Sequence, residues 1–418
     1  MVVLAGAMSV VSYLAKTPCS GPPYDAQGYS THLVDSYRLL CLTDIQYLWV
    51  GRGVDTHQFP YVEGRLEPGD GPPGQLADGA VEYPVLTGLV MWMTGLPASN
   101  SGEYLAWNAL MLFPVALAIG WLLATLVGWR AAIVLAAPAM VFYSVYNWDL
   151  LPVALTLAAV LAWRRDRYAW AGALLGLGAA TKIYPGFFLL PLVLERWLAG
   201  DRRSALAAGT AGAAAWLVPN APFMAVNFEG WWATYAFQAG RVPTWDTNSI
   251  WFWGFPDWPL ARVDLVSLVL IAACWVLALL VGWARPVTLG AYPWIQVSAA
   301  MLCAFLAFNK VYSPQYVLWV LPFLALLSLR WGWWVACWCV DVTLFVGVVR
   351  WFHDFNDDLA RQAASIGGWG KTVLFLLLFV VVLRTPLALR SSAGLDPASR
   401  DDIEGRTTLQ AAAARPDG

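Results

Sequence analysis

Sixty consecutive residues, 104–163, carry only two charges, Arg130 and Asp149. A soluble domain has charge on about a quarter of its residues, whereas this chain of 418 residues is 12% charged and 59% hydrophobic. A helix crossing a bilayer needs roughly 20 apolar residues, with about 17 as the lower limit. Stretches near that length recur at 2–16, 104–127, 131–147, 149–163, 168–182, 184–198, 204–222, 263–283, 289–308, 314–329, 332–350 and 371–389. Backbone polar groups inside lipid must be satisfied within the segment, so the pattern predicts an all-α polytopic membrane protein with about 12 transmembrane helices. The opening stretch VVLAGAMSVVSYLA lacks a charged leader and a clear cleavage site, and is read as the first membrane helix.

Arginine sets the expected orientation. The short loops RRDR (164–167), ERWLAGDRR (195–203) and WARP (283–286) and the turn at Arg330 concentrate it, which predicts that they face the cytoplasm. Residues 83–97 form one more apolar stretch. All the arginine-dense loops agree in side only if it does not cross, so it is expected to lie half-buried at the outer face. Both termini are then cytoplasmic, in a multi-pass protein of the plasma (inner) membrane. The outer face receives loops 17–102, 223–262 and 351–370, together with the tips Asn147–Asp149, Lys182–Pro185 and Asn309–Gln315. Residues 1–390 are expected to form one integral membrane domain, and 391–418 a disordered cytoplasmic tail of Ser, Asp, Arg, Ala and Gly. A net charge of −2 and the lack of a basic tract argue against nucleic acid as a partner. Cys19 and Cys41 share the first outer loop, where oxidation permits a disulfide between them.

Two of the chain's four lysines sit in matching settings: GAATKIYPGFFLLPL around Lys182 and FLAFNKVYSPQYVLWVLPFL around Lys310. A charge in a span is costly and by default marks function, although a lysine at a helix end can also snorkel to the headgroups. Each corner adds a tyrosine two residues on, Tyr184 and Tyr312, and a proline that breaks the helix. Ammonium and phenol donors facing one compartment suit a phosphate. Asp44, within CLTDIQYLWVGRGVDTHQFPYVEG, shares the first outer loop with Asp55, His57 and Glu63. A helix there would aim its carboxylate at the membrane surface. Asp149 in NWDLLP stands where a span begins, a position that a helix N-cap would also explain. The tryptophan-rich stretch 228–258 holds Arg241, Asp246 and Asn248, and belongs either to an interfacial belt or to a sugar-stacking face. Asp341 lies inside a span without an assigned role. The three histidines have no metal-ligand spacing, and no phosphate loop or nucleophile elbow is present.

Taken together, an aspartate in the first outer loop, a YP before the next span, NWD at a span tip, TKIYPGFFLLPL and NKVYSPQYVLWVLP resemble glycosyltransferase family 87. These are GT-C-fold mannosyltransferases, common in actinobacteria, that use polyprenyl-phosphate mannose. The resemblance runs from about residue 10 to residue 385. It implies a GT-C-type fold of roughly a dozen spans, with interfacial helices in the first outer loop and an extracytoplasmic site. It also implies an inverting transfer from a polyprenyl-phosphate sugar donor to a glycolipid or glycan acceptor, within the lipid bilayer and without a cofactor. Asp44 is the catalytic base on this reading. Lys182, Tyr184, Lys310, Tyr312, Gln315, Arg241 and Asp149 would hold the donor phosphate and substrate, with no metal among them. Members that act on phosphatidylinositol mannosides carry histidines near SPQY, and this chain has none there. A transporter or flippase of a lipid-linked sugar is the alternative. It would show internal repeats with helices broken at mid-membrane, and apart from the two lysine corners the sequence shows no repeat.

Overall fold

The computed structural model describes residues 1–69, 71–284 and 292–390. Part of the WARP loop and the expected tail at 391–418 lie outside them. Helices dominate. α1 (Val2–Leu14) leads to the first long loop, which carries α2 (Asp44–Gly51), a hairpin of β1 (Arg65–Glu67) and β2 (Gln75–Ala77), and α3 (Val85–Gly95). α4 (Ser101–Val127), α5 (Ala131–Leu135), α6 (Pro138–Tyr143), α7 (Leu150–Arg164), α8 (Tyr168–Thr181), α9 (Leu189–Leu198) and α10 (Arg202–Val226) follow. The second long loop carries α11 (Phe228–Gly240) and α12 (Ile250–Gly254). The bundle is completed by α13 (Leu260–Trp283), α14 (Trp294–Phe308), α15 (Val317–Leu326), α16 (Trp331–His353) and α17 (Asp358–Arg384).

Every stretch expected to span contains helix, but the helices differ in kind. Five segments are long and apolar enough to cross a membrane: Val2–Cys19, Ser101–Leu135, Leu260–Trp283, Trp331–His353 and Asp358–Arg384. Others are cut short by proline. The stretch 131–147 becomes α5 and α6 because Pro138 supplies no N–H to continue the first and stands at the start of the second. α3 has 11 residues, about 16 Å at 1.5 Å per residue, too short for a crossing. The third outer loop, expected at 351–370, shrinks to residues 354–357. α16 continues to His353, and Asp357 starts α17 by accepting the Ala360 N–H at 2.9 Å. Glycine permits that tight hairpin, since a Cβ at Gly367 would stand 2.5 Å from Leu344 Cα. The β1–β2 hairpin, with Glu67 opposite Gln75, is the exception to the all-α expectation among the described residues. Cys19 and Cys41 are joined, with Cα atoms 6.1 Å apart, and tie the end of the first span segment to the chain just before α2.

Small residues bring helix backbones together, as they do where lipid removes the hydrophobic drive for association. A Cβ at Gly172 or Gly176 of α8 would lie 2.0 Å from the carbonyl oxygens of Ala208 and Gly212 of α10. The bundle also has two chemically distinct ends. Arg130 donates to the Leu327 carbonyl at 3.1 Å and Arg196 to the Tyr168 hydroxyl at 3.0 Å, while Arg164 donates to the Leu126 carbonyl at 3.5 Å. α7 runs from Asp149 at one end to Arg164 at the other, and α8 runs back from Tyr168 to Thr181, next to Lys182.

Candidate active site

At the end away from Arg130, Arg164 and Arg196 a cavity of ≈ 610 Å³ opens between the first loop, the second loop and the two lysine corners. Of the residues singled out in the sequence, Asp44, Lys182, Lys310, Arg241, Asp246, Asn248 and Gln315 line it.

Asp44 is the first residue of α2. Thr43, the N-cap, accepts the Ile45 N–H through its hydroxyl oxygen and donates that hydroxyl to the Tyr146 carbonyl at 2.9 Å. The helix start is thereby pinned to the loop between α6 and α7. Asp44 faces the cavity rather than bulk solvent, with the Gln315 side-chain amide 3.4 Å from Oδ2. Burial pushes its carboxyl up to about 7; Lys182 and a hydrogen bond from Tyr146 oppose the shift, while Glu82 and Asp149 add to it.

The Lys182 corner follows from local sequence. Lys182 is extended (φ −156°, ψ 134°) after α8 ends, and Pro185 then opens a 3₁₀ turn, Tyr184–Phe188. The fold back is tight enough that a Cβ at Gly178 would lie 2.8 Å from Pro185. Lys182 Nζ reaches Asp149 Oδ1 at 2.8 Å, and the Asp149 side chain is fully buried. Asp149 makes no side-chain cap to α7, so the N-cap explanation does not apply to it. The ammonium also lies 5.1 Å from the Tyr83 ring centre, 5.0 Å from that of Tyr316 and 5.3 Å from that of Trp319. The phenol of Tyr184 does not join it. Tyr184 is buried behind the wall, stacked on Trp319 at 4.3 Å, which in turn stacks on Tyr316 at 3.9 Å.

The Lys310 corner is built differently. Lys310 Nζ binds Asp264 Oδ1 and the Ala239 carbonyl, both at 2.5 Å, tying the C-terminal end of α11 to α13. Tyr312 is turned away from the cavity and buried; its backbone N–H donates to the Thr247 carbonyl at 2.7 Å, and Lys371 covers its ring at 4.0 Å. The expectation that both tyrosines point hydroxyls at a ligand is therefore corrected. Each proline corner folds its tyrosine back into the protein, and aromatic packing holds it there.

Arg241 is bound by Asp246 at 2.8 Å. Asp55, His57 and Glu63 do not line the cavity. Two contributors escaped the sequence reading. Glu82, paired with Arg52, lines the cavity directly before the YP that had drawn attention. Lys16 is buried beneath the wall, 5.6 Å from the Tyr146 ring and 5.8 Å from that of Phe345. Its place at the end of the first span was the available signal. Asp341, left without a role, accepts a hydrogen bond from Tyr143 at 3.0 Å. No group of three or more potential metal ligands occurs among the described residues.

The cavity thus combines a raised carboxylate and a buried, aromatic-walled ammonium in a helical membrane protein. A carboxylate near 7 can accept a proton at neutral pH, and a fixed cation can stabilise a departing anion. The comparison with curated proteins finds no match. The profile of glycosyltransferase family 87 matches residues 82–309, more than half of the chain. That span carries Glu82, Tyr83, Asp149, Lys182 and Arg241, while Asp44, Lys310 and Gln315 fall outside it. With its fold of membrane helices and this match, the chain belongs to glycosyltransferase family 87 and is a membrane glycosyltransferase.

Proposed function

We propose that the protein is an inverting mannosyltransferase that moves mannose from a polyprenyl-phosphate donor to a cell-envelope glycolipid or glycan on the extracytoplasmic side. The observation that carries this reading is the shared cavity of Asp44 and Lys182. Asp44 takes the proton from the acceptor hydroxyl as its oxygen bonds to the anomeric carbon. The bond from that carbon to the phosphate oxygen breaks, and its electron pair leaves with the lipid phosphate. Charge grows on the phosphate during that step, so Lys182 stabilises the transition state more than the bound donor. Asp149 keeps Lys182 charged and aimed. Lys310 holds the wall formed by α11 and α13 and adds to the positive field, with Arg241 and Gln315 at the cavity's edge.

The location rests on the separation of the bundle's ends, with short arginine loops at one and the cavity at the other. A cysteine at exposed Gln75 should react with an impermeant thiol reagent in intact cells, and one at exposed Ala199 should not. The reverse pattern would place the cavity on the cytoplasmic side. The activity itself is tested by incubating purified protein with radiolabelled polyprenyl-phosphate mannose and an envelope lipid extract. A labelled, base-stable product is expected. Movement of the intact donor across vesicles without any transfer would instead support a flippase.

A further inference from the structure

The acidic wall of the main cavity has a second face. Glu82, Arg241 and Asp246 also line a second chamber of ≈ 340 Å³. The rest of it is formed by Pro72, Pro73 and Gly74 in the turn between β1 and β2, by Phe237 at the end of α11, and by Val242 and Thr244. Small-molecule sites begin near 300 Å³, so the chamber is large enough for a compact headgroup.

Its chemistry narrows the occupant. Arg241 is already paired with Asp246, and Glu82 with Arg52, while the Thr244 hydroxyl donates to Asp246. An anionic headgroup would meet two carboxylates and no uncommitted cation among the residues lining the chamber. A neutral polyhydroxylated one would find carboxylate oxygens to accept from its O–H groups, and ring faces of Phe237 and the prolines for its C–H surface. The shared wall also adjoins the reacting end, because Glu82 is close enough to Asp44 to act on it electrostatically.

We infer that this chamber is the acceptor subsite and that it takes a neutral, hydroxyl-rich headgroup, a sugar ring or polyol, in preference to an anionic one. The assignment rests on the glycosyl-transfer reading. The accepted headgroup presents one hydroxyl past Glu82 into the main cavity. There its oxygen bonds to the anomeric carbon, its proton passes to Asp44 and the phosphate leaves with the electron pair.

The test uses full-length protein, radiolabelled polyprenyl-phosphate mannose and three acceptor probes: octyl α-mannoside, soluble α-mannobiose and octyl α-mannuronide, whose ring carries a carboxylate. Labelling of either mannoside above the mannuronide is expected, and which of the two is preferred separates a lipid-borne from a free glycan. Val242→Trp and Thr244→Trp, both at the chamber rim, should each raise the acceptor KM about tenfold or more with kcat little changed, the signature of lost ground-state binding. The ratio of transfer to donor hydrolysis should fall with them, while melting temperatures stay near that of the parent. An unchanged KM in both variants, or preferential labelling of the mannuronide, overturns the assignment. If the parent protein neither hydrolyses nor transfers, the polyprenyl-phosphate-mannose reading has failed and the subsite proposed on it falls too.

Discussion

The two lysine corners look like copies in the sequence and are opposites in the structure. Lys182 is sealed against a fully buried Asp149 and three aromatic rings, and its side chain is 14% exposed. Lys310 is similarly shielded at 11%, but its partner Asp264 is 42% exposed and its other contact is the Ala239 carbonyl. A buried ion pair stripped of one member leaves an uncompensated charge, whereas a half-exposed carboxylate simply rehydrates. Lys182 is therefore placed to act on a ligand from a dry, preorganised pocket. Lys310 is placed to hold two wall elements together. On the proposed mechanism, one motif serves the chemistry at Lys182 and mainly the architecture at Lys310.

The largest expected effect stands apart from both corners and sets the scale for them. Asp44→Asn preserves volume and hydrogen bonding but removes the proton acceptor. Transfer should fall by about 100-fold or more, in the range general bases contribute, with donor binding retained in an equilibrium assay. Near-normal transfer in this variant would mean that the base has been misassigned, with Asp149 the first rival to examine.

Lys182→Met comes next. Loss of a charge-assisted contact of roughly 1.5–3 kcal/mol corresponds to about 10- to 150-fold in rate. The variant should also lose roughly 3–5 kcal/mol of stability, because Asp149 is left buried alone. Adding Asp149→Asn should recover the melting temperature without recovering transfer. If the double variant regains activity, Lys182 matters only through the pair, and the contrast between the corners loses its chemical side.

Titration gives a third handle. The Asp44 carboxyl is raised to about 7, so the base form is lost as pH falls. The transfer rate should drop about tenfold per unit below pH 7 and level off above it. A raised carboxyl binds more protons folded than unfolded between about 4 and 7, so ionising it lowers stability across that window. Asp44→Asn should then melt higher than the parent at pH 7.5 and much like it near pH 4, and its residual activity should lack the acidic limb. A limb that survives in the variant belongs to some other group.

The smallest effect is expected at the other corner. Lys310→Met should cost no more than about 1 kcal/mol for its partly exposed ion pair, with transfer reduced by less than about fivefold. Equal losses at Lys182 and Lys310, measured side by side, would restore the symmetric two-lysine clamp that the sequence suggests.

Local sequence was enough for several features because their causes are local. Insertion into lipid depends on the apolar content of one segment, so the five long apolar helices were legible from composition, and arginine-rich turns marked one end of the bundle. Pro138, Pro185 and Pro314 broke helices for a reason carried by the residue itself, its missing N–H. Charge partners are another matter. Lys310 meets an aspartate 46 positions earlier, and Gln315 meets Asp44 from 271 positions away. No periodicity encodes such meetings, because they depend on which helix ends the packing of Gly172 and Gly176 against α10, and of Gly367 against α16, brings to one place. The direction in which Tyr184 and Tyr312 point was settled in the same way, by partners met only after folding, the Trp319 ring for one and the Lys371 ammonium for the other. From its sequence this chain is a helical membrane protein with cations in unusual places; which carboxylate each of those cations meets, and how dry that meeting is, was decided by the packing alone.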